Sequence, residues 1–225
     1  MHIDISLFLE KLREEIKNYK VPVVELISIQ TRDPFKVLVA TILSARTKDE
    51  TTAKASERLF KAAPDPDALA MLSQEQIKKF IYPVGFYKTK AGYLSKLPNA
   101  LKALKALKKF KGDVPQELDD LLTLPGVGRK TASLVLNVAF QKDAICVDTH
   151  VHRIMNIWNY VNTRTPLETE MALRKKLPLH YWQEVNTILV TFGQGTCHPV
   201  SPHCDRCVLL NLCPQKGVKP RKKHL

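Results

Sequence analysis

The sequence predicts an all-α protein, and three features carry that prediction. Apolar residues recur at helical spacing, as in residues 4–19 (DISLFLEKLREEIKNY). Residues suited to capping a helix N-terminus, Asp4, Asp65, Ser73 and Asp148, stand ahead of such segments. Strand-like and helix-like segments do not alternate regularly, and no Asn-Gly turn joins two apolar runs.

Each element follows in order. Behind Asp4, residues Ile5, Phe8, Leu9, Leu12 and Ile16 form one stripe of a helix. Residues 21–29 (VPVVELISI), 36–43 (KVLVATIL) and 187–192 (TILVTF) are rich in β-branched side chains, so propensity alone allows strands. Runs of that length cannot be assigned by periodicity; the missing alternation assigns them to buried helices. Residues 97–110 place Leu97, Leu101, Leu104 and Leu107 on one face and Lys102, Lys105, Lys108 and Lys109 on the other. This is a basic amphipathic helix, expected to start near Pro98–Asn99 and to stop at Gly112. After Asp148 comes a stripe of Val151, Ile154, Met155 and Trp158, and Gly193 is expected to cap a helix C-terminus. No internal repeat is present.

The 225 residues suit one large domain or two small interlocked ones, and 44% hydrophobic with 25% charged residues is ordinary for a folded core. Disorder and collagen-like repeats are excluded. No apolar run reaches about 18 residues, and the first twenty residues do not form a signal peptide. The expected location is the cytoplasm, beside the nucleoid, or the nucleus if the source is eukaryotic.

The net charge of +13 is clustered. Residues 84–112 hold eight Lys and no acid, and residues 214–225 add Lys216, Lys219, Arg221, Lys222 and Lys223, again with no acid. A concentrated basic surface fits a polyanion such as nucleic acid; a solvated lysine-rich helix with a basic tail is the other reading. Cys197, Cys204, Cys207 and Cys213 follow the pattern C-x6-C-x2-C-x5-C, with Cys146 apart as an expected core thiol. Four thiols so close in a chain without an export signal point to a metal centre, for which all-thiolate zinc and an iron–sulfur cluster both qualify.

In residues 117–140 (ELDDLLTLPGVGRKTASLVLNVAF) two amphipathic segments flank Pro125-Gly126-Val127-Gly128. Gly126 and Gly128 can take positive φ, leaving amides at a helix N-terminus where an anion such as a DNA phosphate is favoured. With helices on both sides and no preceding strand, this is not a dinucleotide site; a plain turn between helices is the bland reading. Lys130 falls in the first turn of the second segment, where a cation is disfavoured and burial would favour a neutral, nucleophilic amine. An ordinary surface lysine is the alternative. Asp148 is placed to cap a helix and stay ionised, able to stabilise a developing sugar cation or to accept a proton from an amine.

LPGVGRKTA, then VDTHVHR, then the four-cysteine pattern together resemble the endonuclease III family, bifunctional DNA glycosylase/AP lyases of the helix-hairpin-helix superfamily. The resemblance runs from about residue 25 to 213. It implies two helical lobes flanking a DNA-binding cleft: a barrel lobe of residues 23–134 ending in the hairpin, and a cluster lobe of 1–22 plus 135–213, with 214–225 a basic tail. It implies Lys130 as the nucleophile, Asp148 as its partner, and a [4Fe–4S] cluster on Cys197, Cys204, Cys207 and Cys213. The expected substrate is double-stranded DNA with a damaged base, foremost an oxidised pyrimidine, or an abasic site; no membrane is involved and the protein is expected to be a monomer. Gly126, Val127, Gly128, Arg129 and Thr131 would hold DNA at the hairpin; His150 would face the pocket or a phosphate, a satisfied structural histidine being its other reading, and Arg153 would contact a phosphate or orient Asp148.

Departures from the family pattern matter as much. LSARTKD (43–49), with Ser44, resembles the segment that fills the gap left by a flipped base, but has Arg46 where Gln is usual. In PVGFYKTKA (83–91), Phe86 takes the place of an apolar wedge where Leu is common; core packing is the other reading of Phe86. The loop HPVSPH (198–203) lacks the usual Arg or Lys, leaving His198, His203 or Arg206 for phosphate contact. A monofunctional mismatch glycosylase on the same fold has Ser or Tyr at the position of Lys130, and its adenine-specific group carries a long C-terminal extension; this chain ends 12 residues beyond Cys213. A non-catalytic helix-hairpin-helix module is the third possibility, and the Lys130/Asp148 pair argues against it.

Overall fold

A computed structural model describes residues 3–17 and 19–219, and all regular structure among them is helical. Twelve α-helices follow in order: α1 (Ile5–Ile16), α2 (Val23–Thr31), α3 (Pro34–Ser44), α4 (Asp49–Ala62), α5 (Pro66–Ala70), α6 (Gln74–Ile81), α7 (Tyr87–Lys108), α8 (Leu118–Leu122), α9 (Arg129–Phe140), α10 (Thr149–Ile157), α11 (Pro166–Lys176) and α12 (Val185–Gly195). Single 3-10 turns lie at Leu179–Tyr181 and Cys204–Arg206. Among the described residues no helix is long and apolar enough to cross a membrane. The three β-branched segments are the helices α2, α3 and α12.

The chain divides into two compact units, Pro22–Ala144 and Met1–Val21 with Ile145–Leu225. The division falls beyond α9, so that helix lies wholly with the hairpin preceding it. In the Pro22–Ala144 unit, α3 is the central element. Asp33 caps it, accepting from Phe35 N at 2.9 Å, and Pro34 occupies its first turn. Phe35, Val37, Leu38, Val39, Ala40, Ile42 and Leu43 are all buried, on every side of the helix. It packs on α2, α4, α7 and α9. A helix apolar all round is stable only inside others.

The second unit closes on Leu9 and Leu12 of α1, Val151, Ile154 and Met155 of α10, Trp158, and Ile188, Leu189 and Phe192 of α12. Phe8 meets Trp158 edge to face, with ring centroids 5.0 Å apart. Asp4, Asp65, Ser73 and Asp148 all cap helices as the sequence predicts, Ser73 in a full capping box with Gln76.

Four expectations need correction. The basic helix begins at Tyr87, not near Pro98, and Pro98 lies inside it. An internal proline forfeits one backbone hydrogen bond; buried Leu94, Leu97 and Leu101 pin the turns on either side, so the helix continues. It stops at Lys109, in the left-handed region at φ 52°, rather than at Gly112, and Leu107 is 80% exposed instead of apolar-facing. Gly193 lies within α12, which runs on to Gly195; a Cβ there would overlap the His150 ring. Its absent side chain lets α12 approach α10, and it caps nothing.

Leu38→Ala should cost about 2–5 kcal/mol in denaturant unfolding, the range for a fully buried leucine. Leu107→Ala, on the same criterion, should shift stability by less than about 0.5 kcal/mol. Equal effects would contradict this account of the core.

Candidate functional site

The hairpin lies in the Pro22–Ala144 unit. Leu121, Leu124 and Val127 are buried and fasten it to the core shared by Ala132, Val135 and Leu136 of α9. Gly126 is left-handed at φ +76°, and a Cβ there would come within 2.6 Å of the Tyr93 ring. Gly126 therefore combines a positive φ with a close approach, and both exclude a side chain. Gly128 differs from the expectation. It takes extended backbone at φ −94° as the N-cap of α9, with open space where a Cβ would stand. Val127 has its side chain in the core, and its N–H donates to the Leu124 carbonyl at 3.2 Å. An anion at this turn must draw on neighbouring amides.

Lys130 is the second residue of α9, beside half-buried Arg129 and Thr131, and its side chain is exposed rather than buried. The helix N-terminus thus presents an amine next to amides that favour an anion.

A second feature of the same unit is an exposed tip. α3 ends at Ser44, whose hydroxyl donates back to the Thr41 carbonyl at 2.9 Å, and Arg46 follows in the left-handed region at φ 53°. Phe86, also left-handed at φ 57°, is 60% exposed, which rules out core packing for it. The Arg46 guanidinium sits 5.5 Å from the Phe86 ring centroid. An exposed cation–π contact contributes about 0.5–1 kcal/mol. Two non-glycine residues in left-handed backbone cost about 1–3 kcal/mol each. The pair therefore does not hold itself.

What holds it is Lys90, which sequence reasoning placed among the surface lysines. Lys90 is 5% exposed, and its Nζ donates to the carbonyls of Leu43 (2.8 Å) and Ala45 (2.6 Å) and to Thr47 Oγ1 (3.2 Å). Burial pushes its pKa down to about 8. Gly85 N donates to the same Thr47 hydroxyl at 3.1 Å, and a Cβ on Gly85 would overlap the Arg46 carbonyl. The signal was present: Lys90, Leu94, Leu97 and Leu101 share helical spacing, but only once α7 is known to start before residue 90. The other seven lysines of residues 84–112 are exposed, Lys105 and Lys108 pairing with Asp113 and Asp120.

In the other unit, Asp148 is 8% exposed and caps α10, its Oδ1 accepting from His150 N at 2.8 Å and Val151 N at 2.9 Å. One turn on, the Arg153 guanidinium reaches His150 Nδ1 at 3.3 Å and Cys197 Sγ at 3.7 Å. That ties the Asp148 helix to the first cysteine of the pattern, a link the sequence did not reveal.

Cys197, Cys204, Cys207 and Cys213, none of them in a disulfide, line one small pocket of about 20 Å³ with Trp158, Phe192, Leu209 and Leu210. Among the described residues no three His, Cys, Asp or Glu side chains form a set to hold a metal ion. Burial raises all four thiols, Cys207 to about 12, while Arg153 partly offsets the rise at Cys197. Loading a metal centre here must therefore displace protons. His198 and His203 stack edge to face at 5.2 Å, and Arg206 donates to the Gly195 carbonyl at 3.3 Å. The tail residues Arg221, Lys222 and Lys223 lie outside the described residues. Lys216 bonds Asn159 and Asn162, at 3.1 Å each.

Residues 39–179 match the family model described as HhH-GPD superfamily base excision DNA repair protein. Endonuclease III of Thermotoga maritima is 47% identical over 181 residues, covering 80% of this chain and 83% of that one. Endonuclease III homolog 1, chloroplastic, of Arabidopsis thaliana is 42% identical over 193 residues, and this chain spans half of its length. A trapped endonuclease III–DNA covalent intermediate superposes with a TM-score of 0.82 at 33% identity, covering 96% of this chain and 98% of that one. The chain belongs to the HhH-GPD superfamily of base excision DNA repair proteins.

Proposed function

We propose that the chain is a bifunctional base-excision-repair enzyme, a DNA glycosylase with AP lyase activity of the endonuclease III kind. The observation that carries this is Lys130 at the second position of α9, immediately beyond the glycine hairpin. Relatives named endonuclease III, one of them trapped covalently on DNA, support it.

The chemistry assigns each residue one task. The Lys130 amine attacks C1′ of the damaged nucleotide, and the base leaves with the electron pair of the glycosidic bond. The carboxylate of Asp148 accepts a proton from the attacking amine or balances positive charge growing on the sugar. The ring opens to a Schiff base on Lys130, a proton is lost from C2′, and the 3′ phosphate leaves by β-elimination. Water then releases the sugar fragment and restores the amine. The damaged nucleotide must first leave the duplex, at a cost of a few kcal/mol that is least for poorly stacked lesions. Oxidised pyrimidines and abasic sites are the proposed substrates.

Phe86 is the wedge between base steps and Arg46 the group that meets the base left unpaired, with guanine N7 and O6 its best partners. Gly126, Gly128, Arg129 and Thr131 hold phosphate at the hairpin, with His150 near the pocket. Cys197, Cys204, Cys207 and Cys213 would hold a [4Fe–4S] cluster. These four side chains lining the pocket are all thiols, the donor type that such a cluster takes. A cluster held by these four residues would have a structural role, anchoring the C-terminal loop that carries them.

Lys130→Ala should abolish nicking of a duplex with a single abasic site while DNA binding persists; undiminished nicking would overturn the assignment. Asp148→Asn keeps a good N-cap, since Asn caps about as well as Asp. It should fold normally and bind DNA, with base release slowed at least about a hundredfold. Binding should fall with salt at a log–log slope of several; a flat response would contradict a phosphate-held interface. The purified protein should be brown with broad visible absorption, and a colourless, active preparation with stoichiometric zinc would exclude the cluster.

A further inference from the structure

We propose that Lys90 is the positioning residue of a preassembled Arg46–Phe86 probe, setting how strictly the enzyme discriminates among bases opposite the lesion. The proposal rests on the glycosylase reading above.

A helix leaves its last carbonyls without partners and carries negative charge at its C-terminus. In α3 that end lies directly before Arg46. An ammonium has three protons and no acceptor. At Lys90 the three acceptors are the Leu43 carbonyl, the Ala45 carbonyl and Thr47 Oγ1, so the buried cation is matched to its surroundings. Thr47 passes the constraint on. Its hydroxyl also receives Gly85 N, and Gly85 lies against the Arg46 carbonyl so closely that no side chain fits. One buried amine therefore governs the backbone on both sides of the exposed pair. Neither Arg46 nor Phe86 can change its backbone without breaking a bond to Lys90, to Thr47, or the contact at Gly85.

Discrimination between bases needs a donor held in register with a base edge. A guanidinium on a loose loop would adapt to any orphan base. Fixed on an aromatic wedge, it meets one geometry. The positioning of Arg46, rather than its charge, is then what makes the choice.

The test uses the full-length protein and measures single-turnover cleavage of duplexes with one lesion opposite A, C, G or T. Each rate is divided by the rate on a single-stranded abasic oligonucleotide, which offers no opposing base. Lys90→Met removes the clamp. Gly85→Ala disturbs the same junction without touching a charge, so a failure of Lys90→Met to fold leaves the second variant to decide. Both should compress the spread among the four normalised rates at least about tenfold, because each releases Arg46 from its fixed register. A purely structural role would lower all four rates together, and an unchanged spread in a folded variant overturns the proposal. A wild type that cleaves neither duplex nor single strand overturns the glycosylase reading and this inference with it.

Discussion

Burial of α3 on all sides is the constraint on which the Pro22–Ala144 unit depends. Its apolar circumference forces α2, α4, α7 and α9 to pack round it. The hairpin helix α9, with Lys130 in its first turn, is thereby fixed against α3, and α3's own C-terminus becomes the base of the Arg46 tip. Two features with different chemistry are thus carried by one helix. Neither owes its position to its own exposed contacts.

The other unit solves a similar problem with a polar group. Asp148 spends one carboxylate oxygen on two backbone amides of α10, which fixes the group while satisfying orphan donors. Asp148 is thus held in a single orientation before any substrate arrives. The same helix presents Arg153 to His150 and to Cys197, and Gly193 brings α12 close enough to complete that arrangement. The thiol pocket and the capped carboxylate are consequently parts of one packed structure.

Local chemistry was legible in the sequence, and long-range packing was not. Asp4, Asp65, Ser73 and Asp148 announced their helices because capping is decided within three residues. α2, α3 and α12 were recoverable against their β propensity because nothing in the chain supplied strand partners. The start of α7 was hidden, since Phe86 has no capping side chain and Pro98 imitates a first-turn proline. That error concealed Lys90, one lysine among eight, whose burial only the true helix phase would reveal. Gly193 resembled a cap because close approach to His150 is a tertiary fact. Lys130 and the four cysteines stood out by type and spacing.

The assignment of Lys130 as the nucleophile can be examined on the protein itself. Wild-type enzyme would be reduced with borohydride in the presence of a duplex bearing one abasic site, then digested and mapped by mass spectrometry. A sugar-phosphate remnant attached to the Lys130 Nζ is the expected result. Attachment to another lysine, or to the N-terminal amine with Lys130 unmodified, would contradict it.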